Sequence, residues 1–390
     1  YLPYPLLSGG QIRTYNLLKK LSKKHKITLF ALIKDHQEKE HIPELLKYCS
    51  EIQVFKRSGT PFTFKNIIQT ALSTYPFLVI RNHVPEVITA VKKALASNEY
   101  DLIHAETFYM MPHLPKTTIP TLLVEQTIEY VGYESYAKKA PFFLKPFLAI
   151  DIAKIKHWET YYWNTADSLI VMSDEDKTYI QNYVSNPKKV EVVANGVDTM
   201  WFNEKSQKNV NKPTVLFVGT FKWLPNVEAV TFLAEKIWPA IRERIKDAQL
   251  WIVGNAPTAK VLSYQNIPGI KVTGTIPDIR DAFSGSDLLI APVLSGKGTR
   301  YKVLEAMASG TPIVATHTAV EGLDVTNSVH AMIADEPQQL AEQVVTLLEN
   351  NQLRKKLADN GRAFVKKRYD WSLIADELDS IYKKFRLTRT

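Results

Sequence analysis

The chain has 390 residues, of which 45% are apolar and 23% charged, and it contains a single cysteine, Cys49. This composition excludes a long disordered, collagen-like or coiled-coil chain, and one cysteine excludes an internal disulfide framework. We therefore expect two soluble globular domains in a reducing, cytoplasmic compartment. No apolar run is long enough for a membrane-spanning helix and no signal peptide is visible, but the chain opens at Tyr1 without Met, so starting residues are expected to be missing.

The formal net charge of +9 is concentrated in the first 100 residues, where 15 Lys and Arg stand against 7 Asp and Glu. A basic first quarter suggests an anionic neighbour, such as a membrane surface, a phosphorylated acceptor or nucleic acid. A solvated basic face explains the same charge, so the partner stays open at this point. Nucleic acid is the least favoured, because aromatic and basic residues do not interleave in a recognised pattern.

In the first half, short apolar runs bounded by polar or turn residues predict buried parallel strands. The predicted strands are Ile27–Ile33, Glu51–Phe55, Leu102–Ala105, Thr121–Val124, Ser168–Met172 and Val190–Val193. The predicted helices between them are Gln11–Lys24, Pro85–Ser97 and Ile150–Asn164. Because only eight residues precede Gly9, we expect the strand that normally precedes the first glycine turn to be shortened.

A polar segment, Asn203–Lys212, indicates a linker, and the strand pattern then restarts. The second series of predicted strands is Thr214–Val218, Gln249–Val253, Ile270–Thr273, Leu288–Ala291, Pro312–Ala315 and His330–Ile333. The predicted helices are Val227–Ile245, Ile279–Gly285, Thr299–Ala308, Pro337–Asn350 and Trp371–Phe385. The pattern predicts an α/β fold of two Rossmann-like, doubly wound parallel-sheet domains facing a cleft. The predicted limits are 1–196 for the first domain, completed by 371–390, then a linker at 197–213 and a second domain at 214–370.

The most specific motif is the segment 295–302, which follows a predicted strand and opens a helix. Its glycines clear space, the helix N-terminus supplies free N–H donors, and Arg300 and Lys302 add two positive charges. A diphosphate is the natural partner of such a cluster. The spacing is not that of a Walker A loop, so an NTPase is excluded. A solvated helix start is the alternative.

Glu305 lies three residues after Lys302, on the same face of the predicted helix. A carboxylate there could accept two ribose hydroxyls, as acidic residues do in dinucleotide folds. An intrahelical ion pair with Lys302 is the alternative.

Weaker signals lie in the first half. Ser8-Gly9-Gly10 could let a phosphate or sugar approach a helix start, although a plain tight turn explains it equally well. His104 lies at the carboxyl end of a predicted strand, where ligands bind in parallel sheets, or it is a core histidine. The acidic run 174–176 is better explained by an N-cap at Ser173 than by a metal. The segment 138–148 mixes basic and aromatic residues and could touch a membrane or cover an acceptor groove, and a buried helix entry explains it equally well.

With these residues in place, the sequence resembles the retaining glycosyltransferases of the large family four group, which have the two-Rossmann GT-B fold. The resemblance covers nearly the whole chain. It is strongest in the segments Phe217–Asn226, Trp251–Gly254, Val272–Asp278, Ala291–Pro292, Gly298–Met307, Gly310–Val314 and Glu321–Leu323. In the first half, the segments Ser8–Gly10, Asp101–Glu106 and Asn195–Asp198 match less specifically. The resemblance also implies that the last helix crosses back to the first domain.

The resemblance implies that a nucleoside-diphosphate sugar binds mainly to the second domain. Arg300 and Lys302 would hold the diphosphate and Glu305 the ribose, and these three are the predicted catalytic residues. The other predicted donor-binding residues are Gly10, Gly219, Thr220, Lys222, Gly274, Thr275, Ile276, Lys297, Gly298 and Thr299. The predicted acceptor-side residues are Gly9, His104 and Glu106.

Three departures from the family pattern stand out. Lys297 occupies a position where many members carry a sugar-contacting Glu. Thr220 and Pro225 replace an Arg and a Lys, and the cations Lys222, Arg300 and Lys302 are expected to supply that charge. Glu106 replaces a His.

The activity that the resemblance implies is transfer of a sugar to a hydroxyl-bearing glycan or lipid-linked acceptor, with retention, in glycan, glycolipid or cell-envelope polysaccharide synthesis. We expect no cofactor and no metal, because Arg300, Lys302 and the helix dipole would neutralise the leaving diphosphate. The basic first domain adds an anionic membrane surface as an expected partner, at the inner face of the membrane. The alternatives are a nucleotide-sugar-binding protein of low activity and a nucleotide-sugar epimerase on the same fold.

Overall fold

The computed structural model describes residues 1–97, 99–205, 211–295 and 301–387. The chain divides into two compact units, one formed by Tyr1–Ala194 with Ile374–Thr390 and the other by Asn195–Leu373. Each unit is an α/β assembly around parallel strands. The fold class predicted from the sequence, with parallel sheets in two domains, is confirmed.

The first unit contains two parallel sheets, because its described strands pair as β1-β2 and as β3-β4-β5-β6. The strands are β1 Thr28–Ile33, β2 Glu51–Lys56, β3 Ile103–Glu106, β4 Thr121–Glu125, β5 Ser168–Val171 and β6 Val190–Val192. The helices are α1 Gly9–Leu21, α2 Ile42–Leu45, α3 Phe64–Leu72, α4 Phe77–Ile80, α5 Pro85–Leu95, α6 Glu129–Lys139, α7 Lys145–Thr165 and α8 Asp174–Gln181. Residues 1–7 form no strand, in line with the shortened first strand that the sequence predicts.

The second unit contains one six-stranded parallel sheet with the order β12-β11-β10-β7-β8-β9. Its strands are β7 Thr214–Val218, β8 Gln249–Val253, β9 Ile270–Thr273, β10 Leu288–Ala291, β11 Ile313–Ala315 and β12 Met332–Ile333. Its helices are α9 Thr199–Asn203, α10 Leu224–Phe232, α11 Trp238–Arg244, α12 Ala259–Ser263, α13 Arg280–Ser284, α14 Tyr301–Ser309, α15 His317–Val320, α16 Pro337–Glu349 and α17 Asn351–Arg368. The strands are continuous apolar runs because helices cover both faces of the sheet.

The segment 197–213, predicted as a linker, begins with ordered structure. Val197 pairs with Asp370, and Asp198 caps α9 by accepting a hydrogen bond from the backbone N–H of Trp201 at 3.0 Å. The second unit begins at Asn195, two residues before the predicted linker. Residues 206–210 lie outside the described residues.

The last helix, α18 (Trp371–Leu387), packs on the first unit through residues 374 onward. Its buried side chains Ile374, Leu378 and Ile381 follow helical spacing and form an apolar stripe. Beside the stripe, buried Asp379 pairs with Lys24, which follows the end of α1, at 2.9 Å, and Lys384 pairs with Glu191 of β6 at 2.6 Å. Apolar packing and ion pairs together hold the C-terminal helix to the first unit.

Candidate functional site: the switch point of the second unit

The strand order of the second unit reverses between β7 and β10, which lie side by side. From β7 the chain proceeds through β8 to β9 in one direction, and from β10 through β11 to β12 in the other. In an open parallel sheet the crevice at the carboxyl ends of such strands is the usual ligand site. The turn after β7 and the helix after β10 are therefore the elements that define the candidate site.

Close backbone packing shapes the turn after β7. A Cβ atom on Gly254 would lie 1.7 Å from the carbonyl oxygen of Gly219, so only glycine lets the turns after β7 and β8 approach this closely. A Cβ on Gly219 would lie 2.9 Å from the side-chain carbon Cγ of Asn226. Gly219 thus lets the first turn of α10 approach the end of β7, and Gly254 lets the turn after β8 approach the turn after β7.

Lys302, in the first turn of α14, lies at this point. Its ammonium donates to Asn226 Oδ1 at 2.8 Å, and Asn226 Nδ2 in turn donates to the carbonyl of Thr220 at 2.8 Å. The ammonium also lies 4.6 Å from the centre of the Phe217 ring. These contacts fix a positive charge beside the turn after β7, and its contact with a diphosphate stays a prediction.

Glu305 follows one helical turn later on α14 and is half-buried. Burial raises its pKa to about 7, while the nearby Lys302 charge acts in the opposite direction. No hydrogen bond to its carboxylate is found within the described residues, and the Lys302 ammonium has Asn226 as a partner. The role of Glu305 toward a ribose therefore stays a prediction, with the ion pair to Lys302 as its alternative.

Several predicted residues of this site lie outside the described residues, namely Lys297, Gly298, Thr299 and Arg300. The described part of the loop ends at Ser295, whose hydroxyl donates to Glu228 of α10 at 2.9 Å. The loop after β10 therefore starts beside α10, on the side of the switch point where Lys302 lies.

The remaining predicted donor residues of this unit lie on two turns. Gly274 and Thr275 are exposed and Ile276 is half-buried, directly after β9. A Cβ on Gly274 would meet nothing within 4 Å, so packing does not require glycine there. Lys222 is exposed on the turn after β7. Contact of these residues with a base or a phosphate stays a prediction.

In the first unit, Gly9 and Gly10 begin α1 after the N-cap Ser8, whose hydroxyl accepts from the backbone N–H of Gln11. A Cβ on Gly10 would lie 2.4 Å from the hydroxyl of Tyr1 and 2.6 Å from Gln126 Oε1. The side chains of Tyr1 and Gln126 leave no room for a side chain at position 10, which explains Gly10. The role of Gly10 toward a ligand stays a prediction.

His104 and Glu106 belong to one hydrogen-bond network at the end of β3. His104 Nε2 lies 3.2 Å from Glu106 Oε1, and His104 Nδ1 lies 2.5 Å from the hydroxyl of Tyr382 on α18. Gln126 Nε2 donates to Glu106 Oε2 at 2.7 Å. Burial alone would raise the pKa of Glu106, but the hydrogen bonds to His104 and Gln126 hold this pKa below its usual range. His104 thus ties β3 to the C-terminal helix, and its acceptor-side role stays a prediction.

A buried acidic group in the first unit was missed by the sequence reasoning. Glu159 of α7 accepts from the backbone N–H groups of Glu129 and Tyr130 at 2.7 and 3.1 Å, capping α6, and Trp163 Nε1 donates to Glu125 at 3.1 Å. Burial raises the pKa of Glu129 to about 7 and that of Glu159 to about 8. The only sequence signal was the acid that ends the apolar run 121–125.

Arg13 was also missed. It is buried on α1 and donates to the carbonyls of Val193 and Ala194 at 2.9 and 2.7 Å. The sequence signal for a buried arginine was its position four residues before Leu17, which places both residues on the same face of the helix. Arg13 fixes the chain just after β6.

The acidic run after β5 caps a helix, as predicted, because Ser173 accepts a hydrogen bond from the backbone N–H of Asp176 at 3.2 Å. Among the described residues, no three His, Cys, Asp or Glu side chains are grouped as metal ligands. None of the described helices has both the length and the apolar character that a bilayer span requires.

Comparison with known families decides the identity. A family model described as Glycosyltransferase Family 4 matches residues 7–201, which is half of the chain. The chain belongs to the family 4 glycosyltransferases. A second model, Glycosyl transferases group 1, matches residues 212–350, so the glycosyltransferase match extends over both units.

Two curated proteins are similar to this glycosyltransferase, one over nearly its whole length and one over less than half of it. A protein of Klebsiella pneumoniae named as an uncharacterized 44.6 kDa protein in the cps region is 21% identical over 98% of this chain and 97% of its own length. Phosphatidyl-myo-inositol mannosyltransferase of Mycobacterium leprae is 30% identical, but over 44% of this chain and 46% of its own length.

Solved structures give the same fold. Sucrose-phosphate synthase from Thermosynechococcus elongatus superposes with a TM-score of 0.73 at 19% identity, covering 99% of this chain and 97% of that one. Anabaena HepE, solved in complex with UDP and glucose, has a TM-score of 0.64 at 16% identity and covers 97% of each chain. At these identities the likeness establishes the GT-B fold of the glycosyltransferase and nothing finer.

Proposed function

We propose that this glycosyltransferase moves a sugar from a nucleoside-diphosphate sugar to a hydroxyl acceptor with retention of configuration. The observation that carries the proposal is the placement of Lys302 at the switch point, held by Asn226, with the half-buried Glu305 one turn further along α14. Lys302 would bind the diphosphate and Glu305 the ribose. The two residues follow each other along α14 as the diphosphate and the ribose follow each other along a nucleoside diphosphate.

The chemistry needs charge neutralisation more than a protein nucleophile, because the leaving group is a diphosphate. Lys302, Arg300 and the N–H groups at the start of α14 would stabilise the charge that develops on the leaving oxygen. Positioning of the two substrates would supply the rest of the rate enhancement. The proposal requires no metal, since Arg300, Lys302 and the helix terminus would together oppose the diphosphate charge.

The donor class is supported by HepE, which was solved with UDP and glucose. An acceptor on a glycan or a lipid is supported by the mycobacterial relative, whose name gives phosphatidyl-myo-inositol as its substrate. Retention and a role in glycan, glycolipid or cell-envelope polysaccharide synthesis are proposed from the family resemblance. We place the enzyme in the cytoplasm, at the inner face of the membrane.

The test is calorimetric titration of nucleoside diphosphates of different bases into the purified chain and into a Lys302→Ala variant. One charge-assisted bond is worth about 1.5–3 kcal/mol, so the variant should bind the preferred diphosphate about ten- to a hundredfold more weakly. Lys271→Ala is the matched control, because Lys271 also lies over an aromatic ring, that of Trp251 at 5.3 Å, but on β9.

If the Lys302→Ala and Lys271→Ala variants bind the diphosphate with equal affinity, Lys302 is not part of the donor site. Transfer itself is followed by NMR of the product, which reports the anomeric configuration. Tight diphosphate binding with neither transfer nor donor hydrolysis would favour the alternative of a binding protein, and an epimerised donor sugar would favour the epimerase.

A further inference from the structure

Helix α3 of the first unit turns its apolar face outward. Phe64, Ile67, Ile68 and Leu72 follow the spacing of one helical face and are 79%, 51%, 41% and 85% exposed. A surface helix of a globular protein normally packs this face on the core. The exposed arrangement therefore indicates a partner for this face.

Polar contacts hold α3 in this orientation. On its inner side Asn66 is buried, and its amide donates to the carbonyl of Pro61 at 2.9 Å. Lys154 of α7 donates to the carbonyls of Thr70 and Ser73, both at 2.7 Å. Rotation of the apolar face toward the core would break these bonds.

A second exposed apolar segment adjoins α3. Phe142, Phe143 and Phe147, before and within the first turn of α7, are 84%, 60% and 72% exposed. The two segments meet where Phe77 N–H donates to Asp151 at 2.8 Å and Phe62 stacks on the Phe77 ring at 5.1 Å. We call the outer face of α3, Phe62 and the segment 142–150 the apolar surface.

The charged residues within the apolar surface itself, Lys65 and Lys145, are both positive. The sequence contains no Asp or Glu between Glu51 and Glu86, a stretch that includes Lys65, and none between Glu134 and Asp151, where Lys138, Lys139 and Lys145 lie. Apolar side chains flanked mainly by lysines, with Asp151 at the edge accepting the Phe77 N–H, suit the interface of an anionic bilayer. Two copies of this surface would repel each other, so charge complementarity disfavours a symmetric dimer.

We propose that the apolar surface docks on an anionic phospholipid bilayer, with α3 in the plane of the interface and the phenylalanine rings in the acyl boundary. Docking would hold the first unit at the membrane where a lipid-linked acceptor is presented. The proposal deepens the membrane part of the proposed function, but vesicle binding requires no sugar transfer, so the two can fail separately.

The experiment is flotation of the full chain with vesicles of phosphatidylcholine, alone or mixed with phosphatidylglycerol. Wild type is expected to float with the mixed vesicles, less so at high salt. The double variants Ile68→Ser/Leu72→Ser and Phe142→Ser/Phe147→Ser should each lower the partition coefficient at least about tenfold. The matched control is Leu46→Ser/Leu262→Ser, which replaces two leucines that are 52% and 42% exposed elsewhere.

Unaltered thermal unfolding and diphosphate affinity in each variant show that the fold is intact. Wild type that stays unbound with both vesicle types, or double variants that float like wild type, would overturn the proposal. So would a wild-type dimer in sedimentation equilibrium that the same substitutions dissociate without changing vesicle binding, because the apolar surface would then belong to a second copy. Loss of sugar transfer with flotation intact would count against the proposed activity alone.

Discussion

The affinity for a nucleoside-diphosphate sugar is expected to rise with pH, because Glu305 must be charged to accept the ribose hydroxyls. Burial raises the pKa of Glu305 to about 7. About a tenth of the free protein then carries the charge at about pH 6, and about nine-tenths at about pH 8. If the charged form alone binds, the apparent dissociation constant varies inversely with that fraction and falls about tenfold over this range.

The measurement is calorimetric titration with the sugar nucleotide itself, since its esterified phosphates keep a constant charge over this range. Glu305→Gln should remove the pH dependence and weaken binding at the higher pH by about 1.5–3 kcal/mol, or about ten- to a hundredfold. The control is Glu342→Gln, which changes an exposed carboxylate on α16 of the same unit. A flat wild-type profile, or a Glu305→Gln variant that binds like wild type at the higher pH, would refute the ribose assignment.

The same pKa predicts a separate effect on folding. Because the pKa of Glu305 is raised in the folded state, its contribution to stability is present below the unfolded value of about 4.5 and is lost as the pH rises through about 7. Glu305→Gln should therefore unfold at a higher temperature than wild type at about pH 8. Weaker donor binding together with greater stability could not be explained by misfolding.

Two further predictions concern packing. Gly254→Ala should destabilise the second unit by roughly 1–3 kcal/mol and weaken diphosphate binding, because its Cβ would lie 1.7 Å from the carbonyl oxygen of Gly219. Gly274→Ala, at the glycine after β9, should leave thermal unfolding unchanged, because its Cβ would meet no atom within 4 Å. Glu125→Gln should raise the unfolding temperature more at about pH 8 than at about pH 5, because burial raises the pKa of Glu125 well above its usual range and its Oε2 has no hydrogen-bond partner among the described residues. A Glu125→Gln variant less stable than wild type at the higher pH would show that the buried charge is compensated.

The strands of this glycosyltransferase could be predicted because buried parallel strands are continuous apolar runs. The predicted strands Thr214–Val218 and Gln249–Val253 coincide with β7 and β8 residue for residue. The residues predicted for the donor side, Gly219, Lys302 and Glu305, lie within a few residues of a strand end or in the first turns of the next helix, and their contact with a donor stays a prediction. Local sequence determines such positions.

The acceptor side depends on contacts that no local pattern records. His104 is held by Tyr382, which is 278 positions away in the sequence. Glu125 and Glu159 lie on different elements and become neighbours only when α7 packs over β4. Helix α3 is absent from the predicted elements, although its apolar spacing is that of an amphipathic helix. The outward orientation of its apolar face depends on buried Asn66 and on Lys154 of α7, which no local pattern records.

The contacts of Lys302 bear on one departure from the family pattern. Many members carry Arg and Lys on the turn after the first strand of the donor domain, at the positions of Thr220 and Pro225 here. In this chain Lys302 enters from α14 and binds Asn226, which in turn donates to the carbonyl of Thr220. The positive charge is thus placed beside the same turn by a different element. A diphosphate responds to the position of a charge rather than to the element that carries it, so the substitution at Thr220 is compatible with an active donor site.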